Sequence, residues 1–229
     1  MRVGGLIKLS AQDFPGLLSA VVFTQGCNFH CPYCHNPDLV RPFGELMDED
    51  RVLDFLRTRT RFLDGVVISG GEPTLVPDLA DYAKALKGMG YRVKLDTNGS
   101  NPALVADLID RKLLDYVALD VKTDPARYPP ELAAKDYSPQ VRETINLLKK
   151  SPCPHEFRAT AAWPFVTRES VRAIAKAVAG DAPLYLQVYK PDRVLNPESM
   201  FLTRDRQPSL EEMRAMKDIA SASAPCYLR

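Results

Sequence analysis

The sequence predicts an α/β fold, an open and incomplete (β/α)6 barrel of the TIM type, and three observations carry that prediction. Short apolar runs alternate with longer amphipathic stretches, the pattern of βα units feeding a parallel sheet. Six such units can be traced in 229 residues, whereas a closed eight-unit barrel typically needs about 250. The polar clusters fall just after the apolar runs, and in α/β sheets chemistry collects at the carboxyl ends of the strands.

Taken in order, Ala20-Val21-Val22-Phe23 is a continuous apolar run, as a strand buried on both faces requires. It leads into a cysteine-bearing loop expected over residues 26–43. Asp48-Glu49-Asp50 then puts acids at a helix start, with Val52, Leu53, Phe55 and Leu56 following at helical spacing. Gly65-Val66-Val67-Ile68 reads as the second strand and ends in Ser69-Gly70-Gly71-Glu72-Pro73. Pro77 suits the first turn of the next helix, which Gly88 and Gly90 end. Tyr91 to Leu95 is the third strand, closing on Asp96-Thr97-Asn98-Gly99, and Ala103 to Leu113 is the helix after it. Tyr116-Val117-Ala118-Leu119 is the fourth strand, closing on Asp120-Val121-Lys122. A loop rich in proline (Pro125, Pro129, Pro130) precedes a helix from about Pro139 to Lys149. Phe157 to Ala161 and Leu184 to Tyr189 are the last two strands, separated by a helix from Glu169 to Val178. Leu210 to Ala220 is a final helix inside a C-terminal segment of about 208–229. With no fixed-period repeat, low-complexity segment or linker, residues 1–229 read as a single domain.

Composition narrows the function classes. A formal net charge of +1 and no polybasic stripe leave nothing to hold nucleic acid. No apolar run reaches the length of a membrane span, and Met1-Arg2-Val3-Gly4-Gly5 lacks the apolar region of a signal peptide. Five cysteines, three of them crowded together, do not make a disulfide framework. The chain therefore reads as cytoplasmic. Cys153 and Cys226 stand alone and read as small packing residues.

The three crowded cysteines are Cys27, Cys31 and Cys34, spaced C-x3-C-x2-C with no fourth nearby. A structural zinc site is closed by four protein ligands, while a site that does chemistry keeps one position open. A cubane iron–sulfur cluster normally takes four thiolates, so three would leave one iron free for a small molecule. The later clusters would face the same rim. Glycines at Gly70 and Gly71 let backbone approach a ligand closely, and Glu72 adds negative charge suited to an ammonium group, although a plain tight turn explains Gly-Gly equally well. Asp96, Thr97, Asn98 and Asp120 supply oxygens suited to a hard cation or to sugar hydroxyls, with Asn98-Gly99 also readable as a turn. Lys122 and Arg158 are cations suited to a ligand carboxylate.

Assembled, these segments resemble the radical S-adenosylmethionine (SAM) superfamily, and within it the glycyl-radical-enzyme activating proteins. The chain most resembles the stand-alone activating proteins of anaerobic ribonucleoside-triphosphate reductase. The similarity runs from Ser10-Ala11-Gln12-Asp13-Phe14-Pro15-Gly16 through Phe23-Thr24-Gln25-Gly26-Cys27 and Cys31-Pro32-Tyr33-Cys34-His35-Asn36-Pro37. The Gly-Gly-Glu-Pro, Asp-Thr-Asn-Gly and Asp-Val-Lys segments follow in the family's order.

The resemblance implies a fold of the radical SAM type and a [4Fe-4S] cluster on Cys27, Cys31 and Cys34, whose open iron chelates the amino and carboxylate groups of S-adenosylmethionine. It implies that Tyr33, Cys34 and His35 meet the adenine, and that Gly70, Gly71 and Glu72 meet the methionyl ammonium group. Lys122 and Arg158 would lie near the cofactor's carboxylate and ribose, with Asn98 and Gln187 also in reach. Asp96, Thr97 and Asp120 correspond to ligands of a monovalent cation, and Asp13 to a contact with the partner's glycine loop. The implied reaction is one-electron cleavage to methionine and a 5′-deoxyadenosyl radical, which takes a hydrogen atom from a glycine of the partner enzyme. Such cleavage needs the low end of the roughly −700 to +450 mV span of cluster potentials, supplied by a flavodoxin or ferredoxin-type donor. Asn36 to Asp48 is too short for a ferredoxin-like insert, so a single cluster is expected. Two other readings stand beside this one. The first is a radical SAM enzyme acting on a small molecule, as 7-carboxy-7-deazaguanine synthases do. The second is a non-catalytic Cys3His zinc module completed by His30 or His35.

Overall fold

The computed structural model describes residues 1–40, 45–190, 194–196 and 207–229, so residues 41–43 of the expected cysteine loop lie outside the described residues. Those residues pack as two compact units. The first takes Met1–Asn28, Asp38–Thr97 and Ala103–Val117; the second takes Phe29–Pro37, Asn98–Pro102 and Ala118–Arg229.

The first unit is built on β1 (Val3–Ser10), β2 (Ser19–Thr24), β3 (Gly65–Gly70) and β4 (Arg92–Thr97), adjacent in that order. β1 runs antiparallel to β2, with Leu6 opposite Val22. β2 and β3 are parallel from Ser19–Gly65 to Thr24–Gly70, and β3 and β4 are parallel from Gly65–Arg92 to Ile68–Leu95. Val66, Val67 and Ile68 are wholly buried, which explains the unbroken apolar run: a parallel strand covered on both faces has no polar side. Its helices are all but the first residue of α1 (Pro37–Val40), then α2 (Glu49–Arg57), α3 (Leu79–Gly88) and all but the first residue of α4 (Pro102–Asp110). Asp48 caps α2, its carboxylate accepting from the Asp50 and Arg51 amides, and α2 buries Val52, Leu53 and Leu56. Between β3 and α3 a 3-10 turn, Pro73–Leu75, starts at Glu72.

The second unit holds most of β5 (Tyr116–Asp120), then α5 (Ser138–Lys150), β6 (His155–Ala161), α6 (Arg168–Ala177), β7 (Leu184–Val188), α7 (Leu210–Ser221) and β8 (Cys226–Leu228). Val121, just past β5, donates its N–H to the Arg158 carbonyl of β6. β6 and β7 are parallel with Phe157 opposite Leu184, and β7 and β8 are parallel with Leu184 opposite Cys226. Reciprocal capping boxes start two of the helices, Thr167 with Ser170 on α6 and Ser209 with Glu212 on α7. No helix among the described residues is long and apolar enough to cross a membrane.

The six strands expected from periodicity are present as β2 to β7, with ends shifted by one or two residues. β1 and β8 were not expected. β1 carries Gly4 and Gly5, which mask its pattern; a Cβ on Gly4 would stand 2.6 Å from the Leu39 side chain, whereas one on Gly5 would meet Phe23 at an ordinary 3.5 Å. β8 is three residues long and has no periodicity to read.

The packing separates two leucines cleanly. Leu148 on α5 is wholly buried and Leu210 on α7 is 62% exposed. Urea unfolding is expected to show Leu148→Ala costing about 2–5 kcal/mol through its lost transfer energy and cavity. Leu210→Ala should stay within about 0.5 kcal/mol of the parent.

Candidate active site

The cysteine run begins where β2 ends. Gly26 takes φ +101° and donates its N–H to the Leu39 carbonyl at 2.7 Å, turning the chain just before Cys27. The Gly70-Gly71-Glu72 segment is stitched to that same point. Gly71 N–H donates to the Thr24 carbonyl and Glu72 N–H to the Gly26 carbonyl, both at 2.9 Å. A Cβ on Gly71 would drive into the Gly26 carbonyl oxygen, and one on Gly70, at φ +117°, into the Thr24 backbone. Both glycines are thus required by the chain's own backbone.

Glu72 is 1% exposed. Its Oε1 accepts from the Thr74 amide at 3.0 Å, the Thr74 hydroxyl at 2.5 Å and the Thr97 hydroxyl at 2.7 Å. The side chain therefore ties the end of β4 to the turn after β3. One residue back, Asp96 is held on both oxygens: the Lys94 Nζ lies 2.6 Å from Oδ1, and the Ser69 hydroxyl donates to Oδ2 at 3.1 Å.

In the second unit, residues 29–37 are gripped by the stretch after β5. Phe29 forms a β-bridge with Ala133, His30 N–H donates to the Leu132 carbonyl at 2.9 Å, and the His30 ring bonds the Pro130 carbonyl at 2.9 Å. The Phe29 ring packs on Tyr128 and Tyr137. Two tyrosines then fix the Lys122 backbone: Lys122 N–H donates to the Tyr128 hydroxyl at 3.1 Å, and the Tyr33 hydroxyl donates to the Lys122 carbonyl at 3.3 Å.

Lys122 and Arg158 share one carboxylate. Lys122 Nζ lies 3.1 Å from Asp120 Oδ2, and Arg158 Nε lies 2.8 Å from Oδ1. Burial alone would raise the Asp120 carboxyl, but the two cations outweigh it and hold it well below the usual carboxylate range. Burial works to neutralise Lys122, and the opposing pull of Asp120 and Cys31 keeps it firmly charged. Arg158 also faces the buried Glu156, Nη1 to Oε1 4.0 Å, a carboxylate that Arg229 shares at 3.4 Å.

All five cysteines are free thiols, Cys31 buried and Cys27 and Cys34 half-buried. Burial pushes the Cys31 thiol up to about 11, against the lowering pull of Lys122, and burial also raises Cys34. Among the described residues, no three His, Cys, Asp or Glu side chains are gathered around a common point as metal ligands. His35 is lowered by burial and by Lys122 and Lys190, and its ring meets Tyr189 edge-on.

Gln187 is half-buried near the end of β7, opposite Thr160. Asn98 is buried and accepts from the Ser100 amide at 2.9 Å, a side-chain turn. Asp13 accepts from the Ser10 hydroxyl at 2.5 Å in the turn between β1 and β2. That turn precedes β2 whereas the cysteine run follows it, so the strand's length, about 20 Å, separates Asp13 from Cys27. Four supporting residues escaped the sequence reading: Ser69, Thr74, Lys94 and Tyr128. Only Lys94 left a signal, as a charged residue two places before Asp96 and hence on the same strand face. A separate cavity of about 450 Å³, lined by Ala161, Trp163, Arg168, Glu212 and Met216 among others, involves none of the predicted residues.

The sequence profile of the radical SAM superfamily matches residues 21–178. A candidate glycyl-radical enzyme activating enzyme of Methanocaldococcus jannaschii is 36% identical over 220 residues, covering 92% of this chain and 89% of the relative. A pyruvate formate-lyase-activating enzyme of Clostridium pasteurianum is 36% identical over 127 residues, about half of each chain (53% and 52%). Among solved structures, Streptococcus suis SuiB superposes with a TM-score of 0.67 at 14% identity, over 91% of this chain and 48% of SuiB. SuiB bound to S-adenosylmethionine superposes at 0.65 over 89% of this chain and 48% of SuiB, also at 14% identity. At such identity the likeness speaks to the fold alone, and it is the α/β fold with a parallel sheet that the sequence predicts.

The stitch at Gly71 makes Gly71→Ala an overpacking substitution, expected to lower stability by about 1–3 kcal/mol in urea unfolding. The raised Cys31 thiol has a signed pH dependence. Its folded value of about 11 exceeds the ordinary 9.0, so the stability it contributes is complete below pH 9.0 and is lost as pH climbs through about 11. In metal-free protein, iodoacetamide should modify Cys31 more slowly than Cys27 at pH 8, and the lag should shrink toward pH 11.

Proposed function

This chain belongs to the radical SAM superfamily, in its group of glycyl-radical enzyme activating enzymes, and we propose that it cleaves S-adenosylmethionine reductively and installs a glycyl radical on a partner enzyme. The carrying observation is the run of three free thiols, spaced C-x3-C-x2-C, that leaves β2. Soft thiolate donors in that number suit an iron–sulfur cluster with one open iron. Burial raises the Cys31 thiol, and the charged Lys122 offsets part of that rise. When bound on Cys27, Cys31 and Cys34, a [4Fe-4S] cluster supplies the electron that breaks a sulfonium carbon–sulfur bond.

The protein's own part is binding and positioning. Lys122 and Arg158, gathered on Asp120, receive the carboxylate of S-adenosylmethionine in charge-assisted contacts. Gly70 and Gly71 present backbone to the methionyl ammonium group, and Glu72 lends its charge while its Oε1 holds Thr74 and Thr97. Tyr33, Cys34 and a neutral His35 face the adenine, with Asn98 and Gln187 toward the ribose. A monovalent cation on Asp96, Thr97 and Asp120 does not fit the donor set, since Lys94 already compensates Asp96, and Lys122 with Arg158 compensates Asp120.

For the partner we propose anaerobic ribonucleoside-triphosphate reductase, with a cytoplasmic flavodoxin or ferredoxin as the electron source. Asp13 serves as a docking contact for that partner on the β1–β2 turn, away from the cysteines.

Protein purified without oxygen should be brown and hold about four irons per chain. With dithionite and S-adenosylmethionine it should release 5′-deoxyadenosine and methionine, and with the reductase it should give a glycine-centred radical by electron paramagnetic resonance. Cys31→Ala should lose the irons and the cleavage together. A colourless zinc protein would refute the reading, and cleavage without a radical on any glycyl radical enzyme would move the substrate to a small molecule.

A further inference from the structure

β4 carries a lysine where its neighbours demand an apolar residue. Val93 and Leu95 are wholly buried, and Lys94 between them is 1% exposed, standing opposite Val67 of β3. Leaving an ammonium group there is unfavourable unless it is paired. Its pair is Asp96, two residues on and therefore on the same strand face, with Nζ 2.6 Å from Oδ1. The Tyr116 ring lies 6.0 Å from the same ammonium, near the outer limit for a favourable cation–ring contact. The pair sits at the strand end, one residue from Thr97, whose hydroxyl is turned to Glu72.

A buried ion pair is a poor stabiliser, often no better than well-packed apolar residues of the same volume. Its position therefore carries more meaning than its energy. A metal cation arriving at Asp96 would meet an ammonium already in contact with that carboxylate, and like charges at that range repel. In the second unit Asp120 is likewise bound by two cations.

We infer that Lys94 is the built-in cation of the Asp96 strand end, a positioning residue that acts through Asp96 and makes S-adenosylmethionine binding independent of any monovalent metal ion. The inference rests on the proposed reading that S-adenosylmethionine docks at these strand ends.

Equilibrium dialysis of S-adenosylmethionine against the anaerobically reconstituted protein tests it, in potassium, sodium or choline chloride at the same ionic strength of about 0.1 M, so that screening is equal. The unaltered protein should bind with the same affinity in all three salts, within about twofold, while Lys94→Met should weaken about tenfold or more in choline and recover in potassium or sodium. Should Lys94→Met fail to fold, the Lys94→Met/Asp96→Asn double variant removes both charges and should fold and bind more weakly than the unaltered protein, equally in all three salts. A loss of about tenfold for the unaltered protein in choline overturns the inference and leaves the proposed activity standing. So does a Lys94→Met defect equal in all three salts, which would make the lysine a packing residue, or a cation response in the double variant. Absence of binding in every salt overturns the proposed activity and this inference with it.

Discussion

A carboxylate taken out of water without a partner costs several kcal/mol, and this protein places three of them where strands end. Each is compensated by a different means. Glu72 is satisfied by an amide and two hydroxyls, Asp96 by an ammonium and a hydroxyl, and Asp120 by an ammonium and a guanidinium.

The same frugality governs the backbone. Gly70 and Gly71 sit against the carboxyl end of β2, so the turn that would face a cofactor is held by the segment that launches the cysteine run. In the second unit Tyr33 and Tyr128 pin both backbone groups of Lys122, which fixes where the Lys122 side chain departs. Rigid supports of this kind fit a protein whose task is to place a reactive group and keep water from it while the cofactor supplies the chemistry.

Much of the fold was legible because hydrophobic periodicity is local. The unbroken run Val66-Val67-Ile68 announces a strand covered on both sides, and Asp48 before Val52 and Leu53 announces a capped helix. β1 was illegible because Gly4 and Gly5 break its apolar pattern, and what Gly4 packs against is Leu39, far along the chain. For Asp13 the motif was legible and the placement was not, because the antiparallel pairing of β1 with β2 carries it to the far end of the strand from the cysteines.

The sequence by itself determined the cysteine spacing, the order of β2 to β7 and of α2 to α7, and the arrival of each polar cluster at a strand's end, since all three depend on residues close along the chain. Only the tertiary structure decided which partner each polar side chain takes. Asp120 finds Arg158 across 38 positions, Ser69 finds Asp96 across 27, and Glu72 finds Thr97 across 25. Strand register sets the first two and the turn after β3 the third, and register is a property of the packed sheet that no short window of sequence contains.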